Sequence, residues 1–197
     1  YLSFFLYAFS RMLTTEDATA NIFTRDVPVE DLWSCTTCRA CVEHCPILIE
    51  HLNKILPMRQ HWVLMQGNFP EAAQTACRNM EVNSNPWGLS NADRQGFLRE
   101  LGVEAFDPAR HEYLFYTGCA GAFDELGQKA VGRSAALFSA AGLSYGVLYG
   151  EELCCGETAR RMGNEYLYQT MATALYTTLK EKGVKKIVTL CPHCFNT

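Results

Sequence analysis

The chain opens with no apolar run long enough to cross a bilayer. YLSFFLYAF, residues 1–9, is a nine-residue stretch with one serine in it, about half of the roughly 20 residues that a membrane-spanning helix needs. Two readings fit it: an ordinary buried helix, or the end of a membrane or docking helix that begins upstream. Positive charge is also scarce. Seventeen Lys and Arg against 21 Asp and Glu leave a net charge of −4, and nothing basic gathers on one face, which argues against a nucleic-acid partner. A dinucleotide fingerprint is missing too. Gly118-Cys-Ala-Gly121 lacks the G-x-G-x-x-G spacing, and no acidic residue stands at the expected distance, so nicotinamide binding is not expected. No secretory signal is visible and the ten cysteines, Cys77 apart, fall at metal-ligand spacings, so they read as ligands in a reducing cytoplasm rather than as disulfides.

What the chain has is core material and sulfur. Hydrophobic residues make up 48% and charged ones 19% of 197 residues, enough for one sizeable domain plus a small one. The chain starts at Tyr1 without a methionine and stops three residues after Cys194, so it is expected to be part of a longer polypeptide.

Four of the cysteines form Cys35-Thr-Thr-Cys38-Arg-Ala-Cys41-Val-Glu-His-Cys45-Pro46, the C-x2-C-x2-C-x3-C-P run of bacterial-type ferredoxins. Such short gaps let one tight turn aim three thiolates at three corners of a [4Fe–4S] cubane while backbone amides donate to sulfur. Cys45 is expected to begin a helix, with Pro46 suiting its first turn. No second run of this kind is present, so the fourth ligand of Cys35, Cys38 and Cys41 comes either from an upstream run or from Cys77. In two-cluster ferredoxins the last cysteine serves the other cluster, so Cys45 points to a second [4Fe–4S] completed outside this segment. Cys77 otherwise reads as a buried structural thiol. His44 reads as an exposed residue at the helix start, with tuning of the cluster potential as the alternative. Helices are expected over 47–66, with a break or kink at Pro57, from Pro70 to about Val82, and over Asn91–Leu101 with Gly102 as its stop. Asn83–Gly88 reads as a loop in which Trp87 packs or covers a cluster.

The other five chemistry-bearing cysteines follow a different rule. Cys119 stands alone, Cys154-Cys155-Gly156 follows after 34 residues, and Cys191-Pro-His-Cys194 after a further 35. Each lies just beyond an apolar, strand-like run: Tyr113–Thr117, Leu143–Tyr149 and Val184–Leu190. Helices over Phe123–Ala141 and Thr158–Lys182 separate the runs. Strand–helix–strand–helix–strand predicts a parallel sheet with right-handed crossovers, and in such sheets sites collect at the carboxyl ends of strands. Five thiolates exceed the four of a tetrahedral zinc site, which points to an unusual iron–sulfur centre. Gly118, Gly121 and Gly156 fit close backbone approach to a bulky inorganic core. The fold class is therefore α+β: an N-terminal helix and linker over 1–30, a helical ferredoxin-like [4Fe–4S] module over 31–110, and an α/β domain with a parallel sheet over 111–197.

Cys119, Cys154-Cys155-Gly156 and Cys191-Pro-His-Cys194, in this order after a ferredoxin run, resemble the cysteine-rich CCG domain of the heterodisulfide reductase catalytic subunit and its relatives. Those include iron–sulfur subunits of glycolate, lactate and anaerobic glycerol-3-phosphate oxidation. They also include membrane-bound oxidoreductases that carry electrons from electron-transfer flavoprotein toward quinone. The resemblance runs from Leu32 to Cys194. It implies a noncubane [4Fe–4S] cluster on Cys119, Cys154, Cys155, Cys191 and Cys194, fed by the ferredoxin-type cubane. The partners it implies are a flavoprotein or other redox subunit and a membrane anchor upstream. The location it implies is the cytoplasm or the cytoplasmic face of a membrane. The acceptor is a disulfide or a quinone. Family members usually carry two runs and two CCG motifs, whereas this segment has one of each, so disulfide cleavage at paired clusters does not carry over directly. A non-catalytic electron-transfer or structural subunit, with zinc or no metal at these cysteines, is the alternative. His193, between two of the cysteines, is the expected proton donor to a leaving thiolate, or a histidine bonded to backbone. Arg160 and Arg161 are read as a solvated face, or as a dock for an acidic carrier.

Overall fold

The computed structural model describes residues 28–197. The apolar opening of residues 1–13 and most of the expected linker lie outside the described residues. The chain divides into two compact units, one ending at Pro70 and the other spanning Glu71–Thr197.

The described part of the first unit is helical. Helix α1 covers Val29–Ser34, α2 Ala40–Glu43 and α3 Leu52–Gln60. Cys45 does not begin a helix: Cys45-Pro46 form a turn in which the Leu48 amide donates to the Cys45 carbonyl (3.1 Å). Leu48 then takes a left-handed backbone, φ 57°, which no helix can pass through. Pro57 sits inside α3 without ending it, and the chain widens into a π-helical turn over His61–Met65. A proline interrupts the regular hydrogen-bond ladder, and the wider turn follows within one helical repeat. The buried side chains Ile55, Arg59 and Val63 recur at four-residue intervals and mark the inner face.

The second unit begins with α4 (Glu71–Asn83) and α5 (Asn91–Glu100), so these helices share a unit with the sheet that follows. Helix α5 starts on a Ser90 side chain that accepts from the Ala92 amide. Strands β1 (Tyr113–Tyr116), β2 (Tyr145–Gly146) and β3 (Ile187–Thr189) pair in parallel in the order β2-β1-β3. Leu114 is in register with Gly146 on one side and with Ile187 on the other. A single parallel bridge from Ala105 to Val147 extends the β2 edge. Helices α6 (Gly118–Phe123) and α7 (Glu125–Ala140) link β1 to β2. Helices α8 (Glu157–Arg161) and α9 (Glu165–Glu181) link β2 to β3, and α10 (Pro192–Phe195) follows.

Alternation along β1 assigns one face to each crossover. Phe115 packs with Val131 and Ala135 of α7 and Leu98 of α5. Leu114 and Tyr116 point the other way, toward Leu175 and Leu179 of α9. Phe115, Phe138 and Tyr145 stack edge to face, with centroids 5.1–6.0 Å apart. Chain order reverses at β1, so the crevice beyond its carboxyl end is the topological switch point of the sheet.

The strands are shorter than the apolar runs. The first residues of the second and third runs close the preceding helices instead: the Leu143 amide bonds to Phe138 O (2.9 Å) and the Val184 amide to Leu179 O (3.0 Å). The helix expected over Thr158–Lys182 is likewise two. Gly163, at φ 88°, ends α8, and the Asn164 side chain accepts from the Leu167 amide (3.1 Å) to start α9. Asn164→Ala is therefore expected to destabilise the unit by about 1 kcal/mol, measured as a lower urea midpoint with an unchanged slope.

Candidate metal centre

In the first unit the four cysteines sit on a bent turn. Thr37 and Arg39 both take left-handed backbone, φ 56° and 66°, which curls Cys35–Cys41 tightly. Amides then face sulfur. Thr37 N donates to Cys35 Sγ (3.4 Å) and Ile49 N to Cys45 Sγ (3.3 Å). The Ala40 amide, helped by the Thr36 hydroxyl, holds the Cys38 thiol below its usual range. Cys38 and Cys41 are exposed, Cys35 half-buried and Cys45 buried. His44 is exposed, as expected. Spacing alone does not reveal Arg59. This buried side chain donates to the carbonyls of Leu32 (2.8 Å) and Cys35 and lies over the Trp33 ring, 5.1 Å from its centroid. Burial lowers its pKa, while the Cys35 thiolate opposes that shift.

In the second unit all five remaining chemistry-bearing cysteines lie beyond the carboxyl ends of the three strands. Cys119 is in the first turn of α6 directly after β1, Cys154 and Cys155 precede α8, and Cys191 and Cys194 flank the first turn of α10. Cys119, Cys154 and Cys155 are buried. Cys155 Sγ is 3.7 Å from Cys194 Sγ. The thiols divide their protons unequally. Bonds from Cys154 and Cys194 push Cys155 down to about 2. Bonding to Cys119 and then to Cys155 pushes Cys154 up, and bonding to Cys155 pushes Cys194 up. Cys155 is thus the sulfur that its neighbours favour as the thiolate, while Cys154 and Cys194 are pushed toward keeping their protons.

Backbone geometry keeps space at the cysteines. Gly118 has φ 70°, and a Cβ on it would stand 3.1 Å from Cys194 Sγ. Gly118→Ala is expected to cost about 1–2 kcal/mol in backbone strain alone and to displace Cys194; a thermal melt and the electron paramagnetic resonance (EPR) line shape of the purified protein check the two parts. Gly121 serves packing rather than the cysteines, since a Cβ there would meet Val131 at 2.8 Å. Among the described residues, no three side chains of His, Cys, Asp or Glu converge as they would around a single metal ion.

Residues 113–197 match the family described as CCG, a cysteine-rich domain. This segment is a CCG cysteine-rich domain. The chain is similar, at 48% identity over 170 residues, to the EtfAB:quinone oxidoreductase of Syntrophomonas wolfei, covering 83% of this chain and 24% of that one. It is 37% identical over 171 residues to a probable membrane-anchored ferredoxin of Chromohalobacter salexigens, with 86% and 25% covered. Over 170 residues it is 25% identical to one component of the dihydromethanophenazine:CoB--CoM heterodisulfide reductase of Methanosarcina barkeri, with 84% and 40% covered. The chain spans about a quarter of the length of the first two relatives. No solved structure matches.

The surroundings of the CCG cysteines include side chains that their spacing does not announce. Glu152, fully buried, accepts from the Thr117 amide (3.1 Å), the Thr117 hydroxyl (3.0 Å) and the Gly118 amide (2.8 Å), and pairs with the equally buried Arg94. Burial works against the Arg94 charge, but Glu152 and then Cys119 outweigh it and hold the guanidinium above its usual pKa. Ser84, at φ 54°, offers its hydroxyl to the Cys154 amide (3.1 Å) and its carbonyl to the Cys119 thiol (3.8 Å). Glu157 holds His193 Nδ1 at 2.8 Å and also pairs with Arg161. His193 is therefore bonded to a carboxylate, not to backbone. Arg161 is committed to that carboxylate, whereas Arg160 is exposed, as expected of a solvated charge, and lies over the Tyr168 ring at 4.8 Å. Trp87 packs against Phe123, centroids 6.3 Å apart. Cys77 is buried, and burial pushes its thiol up, in keeping with a structural thiol.

Proposed function

We propose that this chain is the iron–sulfur part of an oxidoreductase. Cys35, Cys38, Cys41 and Cys45 hold a cubane [4Fe–4S], with Cys45 open to a second such cluster. Cys119, Cys154, Cys155, Cys191 and Cys194 hold a noncubane [4Fe–4S]. The observation that carries the reading is the gathering of five thiols from the carboxyl ends of three adjacent parallel strands. The donor set fits: thiolates are the ligands that iron–sulfur clusters take, and Gly118 leaves room beside Cys194 where any side chain would intrude. When bound, the clusters supply one-electron steps.

The protein's own groups do the rest. Amides of Thr37, Ala40 and Ile49 stabilise negative sulfur in the first set. His193, oriented through Nδ1 by Glu157, presents its other ring nitrogen as the proton donor, and at 52% side-chain exposure it can be refilled from solvent. Among the described residues no helix is long and apolar enough to cross a membrane. The reading keeps the chain at the cytoplasmic face of a membrane, and the relative named as membrane-anchored supports the membrane attachment alone.

The donor in this reading is a reduced flavoprotein, and the acceptor a quinone, which takes two electrons and two protons to become a quinol. The 48% identity to a protein named for a flavoprotein and a quinone favours this pair; the weaker likeness to part of a heterodisulfide reductase makes a disulfide the second acceptor. The test is anaerobic mixing of the full-length protein with reduced electron-transfer flavoprotein, then with a short-chain quinone or an aliphatic disulfide, with EPR at each step. Cluster reduction followed by rapid reoxidation with quinone supports the reading. Clusters that the flavoprotein cannot reduce would sink it.

A further inference from the structure

We infer that Arg94, held by Glu152, is a positioning residue for Cys119, and that the site of the CCG cysteines is completed from helix α5, outside the matched segment. The inference rests on the reading of Cys119 as a cluster ligand, and the experiment below separates the two.

Arg94 and Glu152 are fully buried, and each uses more than the other's charge. Glu152 gathers the Thr117 amide, the Thr117 hydroxyl and the Gly118 amide, which are the donors of the turn that delivers Cys119. Glu152 itself stands two residues before Cys154. The pair therefore fastens the turn at the end of β1 to the turn that follows β2, and with them two cysteines from different strands. Arg94 adds the link to sulfur: its second terminal nitrogen lies 3.9 Å from Cys119 Sγ, and its first also reaches Gly118 O at 3.4 Å. Its Nε is buried without a partner among the described residues. A pair chosen for stability alone would not hold an unmatched donor there. Replacing a buried ion pair by apolar side chains is often neutral or stabilising, so stability is a weak reason for keeping it. Placement of a donor and a positive charge beside a ligand sulfur is a stronger one, because hydrogen bonds and charge at the sulfurs set cluster potential. Positive charge and N–H donation favour the more negative, reduced cluster, so their loss lowers the midpoint potential.

The test compares full-length wild type with Arg94→Lys and with the double variant Arg94→Met/Glu152→Leu. Thermal melts report folding. The alkylation rate of Cys119, relative to buried Cys77, is read on metal-free protein, and the EPR spectrum and midpoint potential on loaded protein. A double variant that still melts cooperatively, below wild type because the Thr117 and Gly118 donors lose their acceptor, but alkylates at Cys119 at least tenfold faster and shows a changed EPR line with a lower potential is the expected result, with Arg94→Lys intermediate. A folded variant with wild-type alkylation, or with an unaltered spectrum and potential, overturns the inference and leaves a purely structural pair. Should the double variant not fold, Arg94→Lys decides on the same readouts. Should wild type show no second EPR signal, the cluster reading fails, while Cys119 alkylation still decides whether Arg94 positions it.

Discussion

Glu152→Ala is expected to destabilise the second unit by about 3–5 kcal/mol, the usual cost of removing one partner of a buried ion pair. The substitution strands Arg94, fully buried, without its counter-charge, and it leaves the Thr117 and Gly118 amides and the Thr117 hydroxyl without their acceptor. At roughly 2–4 °C per kcal/mol for a chain of this size, the thermal midpoint should fall by about 6–20 °C. The neighbouring Glu151→Ala is the control. Its carboxylate pairs with Lys182 across solvent, at 60% and 40% side-chain exposure, and such pairs contribute less than about 1 kcal/mol. Similar melting shifts for the two alanine variants would show that the buried pair does not lock the turns.

The second large effect is chemical. Cys155→Ser is expected to abolish the CCG-site EPR signal and remove roughly four irons per chain, the content of one [4Fe–4S] cluster, while the ferredoxin-type signal persists. Cys155 is buried, is the thiol that its neighbours Cys154 and Cys194 push toward the thiolate, and lies 3.7 Å from Cys194 Sγ. A serine oxygen is a harder and shorter donor that soft-metal centres take poorly. Cys38→Ser should do the reverse, removing the ferredoxin-type signal and sparing the other. Loss of both signals from either single variant would contradict independent sites.

Much of this site was legible because metal chemistry constrains spacing. The run from Cys35 to Cys45 and the positions after the three apolar runs placed nine cysteines in two sets, and the strand–helix alternation placed five of them at one sheet edge. The elements were less legible at their ends. Val184 and Leu143 look like strand residues by composition, yet their amides close the helices before them. Met162–Asn164 interrupts an apolar pattern that continues on both sides, and there Gly163 and Asn164 were the readable signal. Pro46 suits a helix start, but the left-handed backbone of Leu48 bends the chain away first.

Cysteine spacing does not single out the two buried arginines. Arg94 stands four residues before Leu98 and seven before Leu101, and Arg59 four after Ile55 and four before Val63. Both occupy the apolar register of their helices. A cation at such a position is costly unless something buried receives it. In each case the partners lie at a cysteine turn: the Cys35 carbonyl for Arg59, and Glu152 with the Gly118 carbonyl for Arg94. A charge in register with core leucines was thus a pointer to the centres. Its partner could not be named from one sequence, because 58 residues separate Arg94 from Glu152. The same pair, together with Ser84 at Cys119 and Cys154, explains why the helices over 71–100, grouped by their helical pattern with the ferredoxin run, share a unit with the sheet.

In the proposed reading these cysteines hold two different iron–sulfur clusters. Iron, acid-labile sulfide and zinc should be assayed on anaerobically purified full-length protein, alongside low-temperature EPR. About eight or more irons with matching sulfide, one cubane signal and a second of unusual shape are the predicted result. Zinc at the CCG cysteines, with iron and sulfide enough for the ferredoxin run alone, would contradict it.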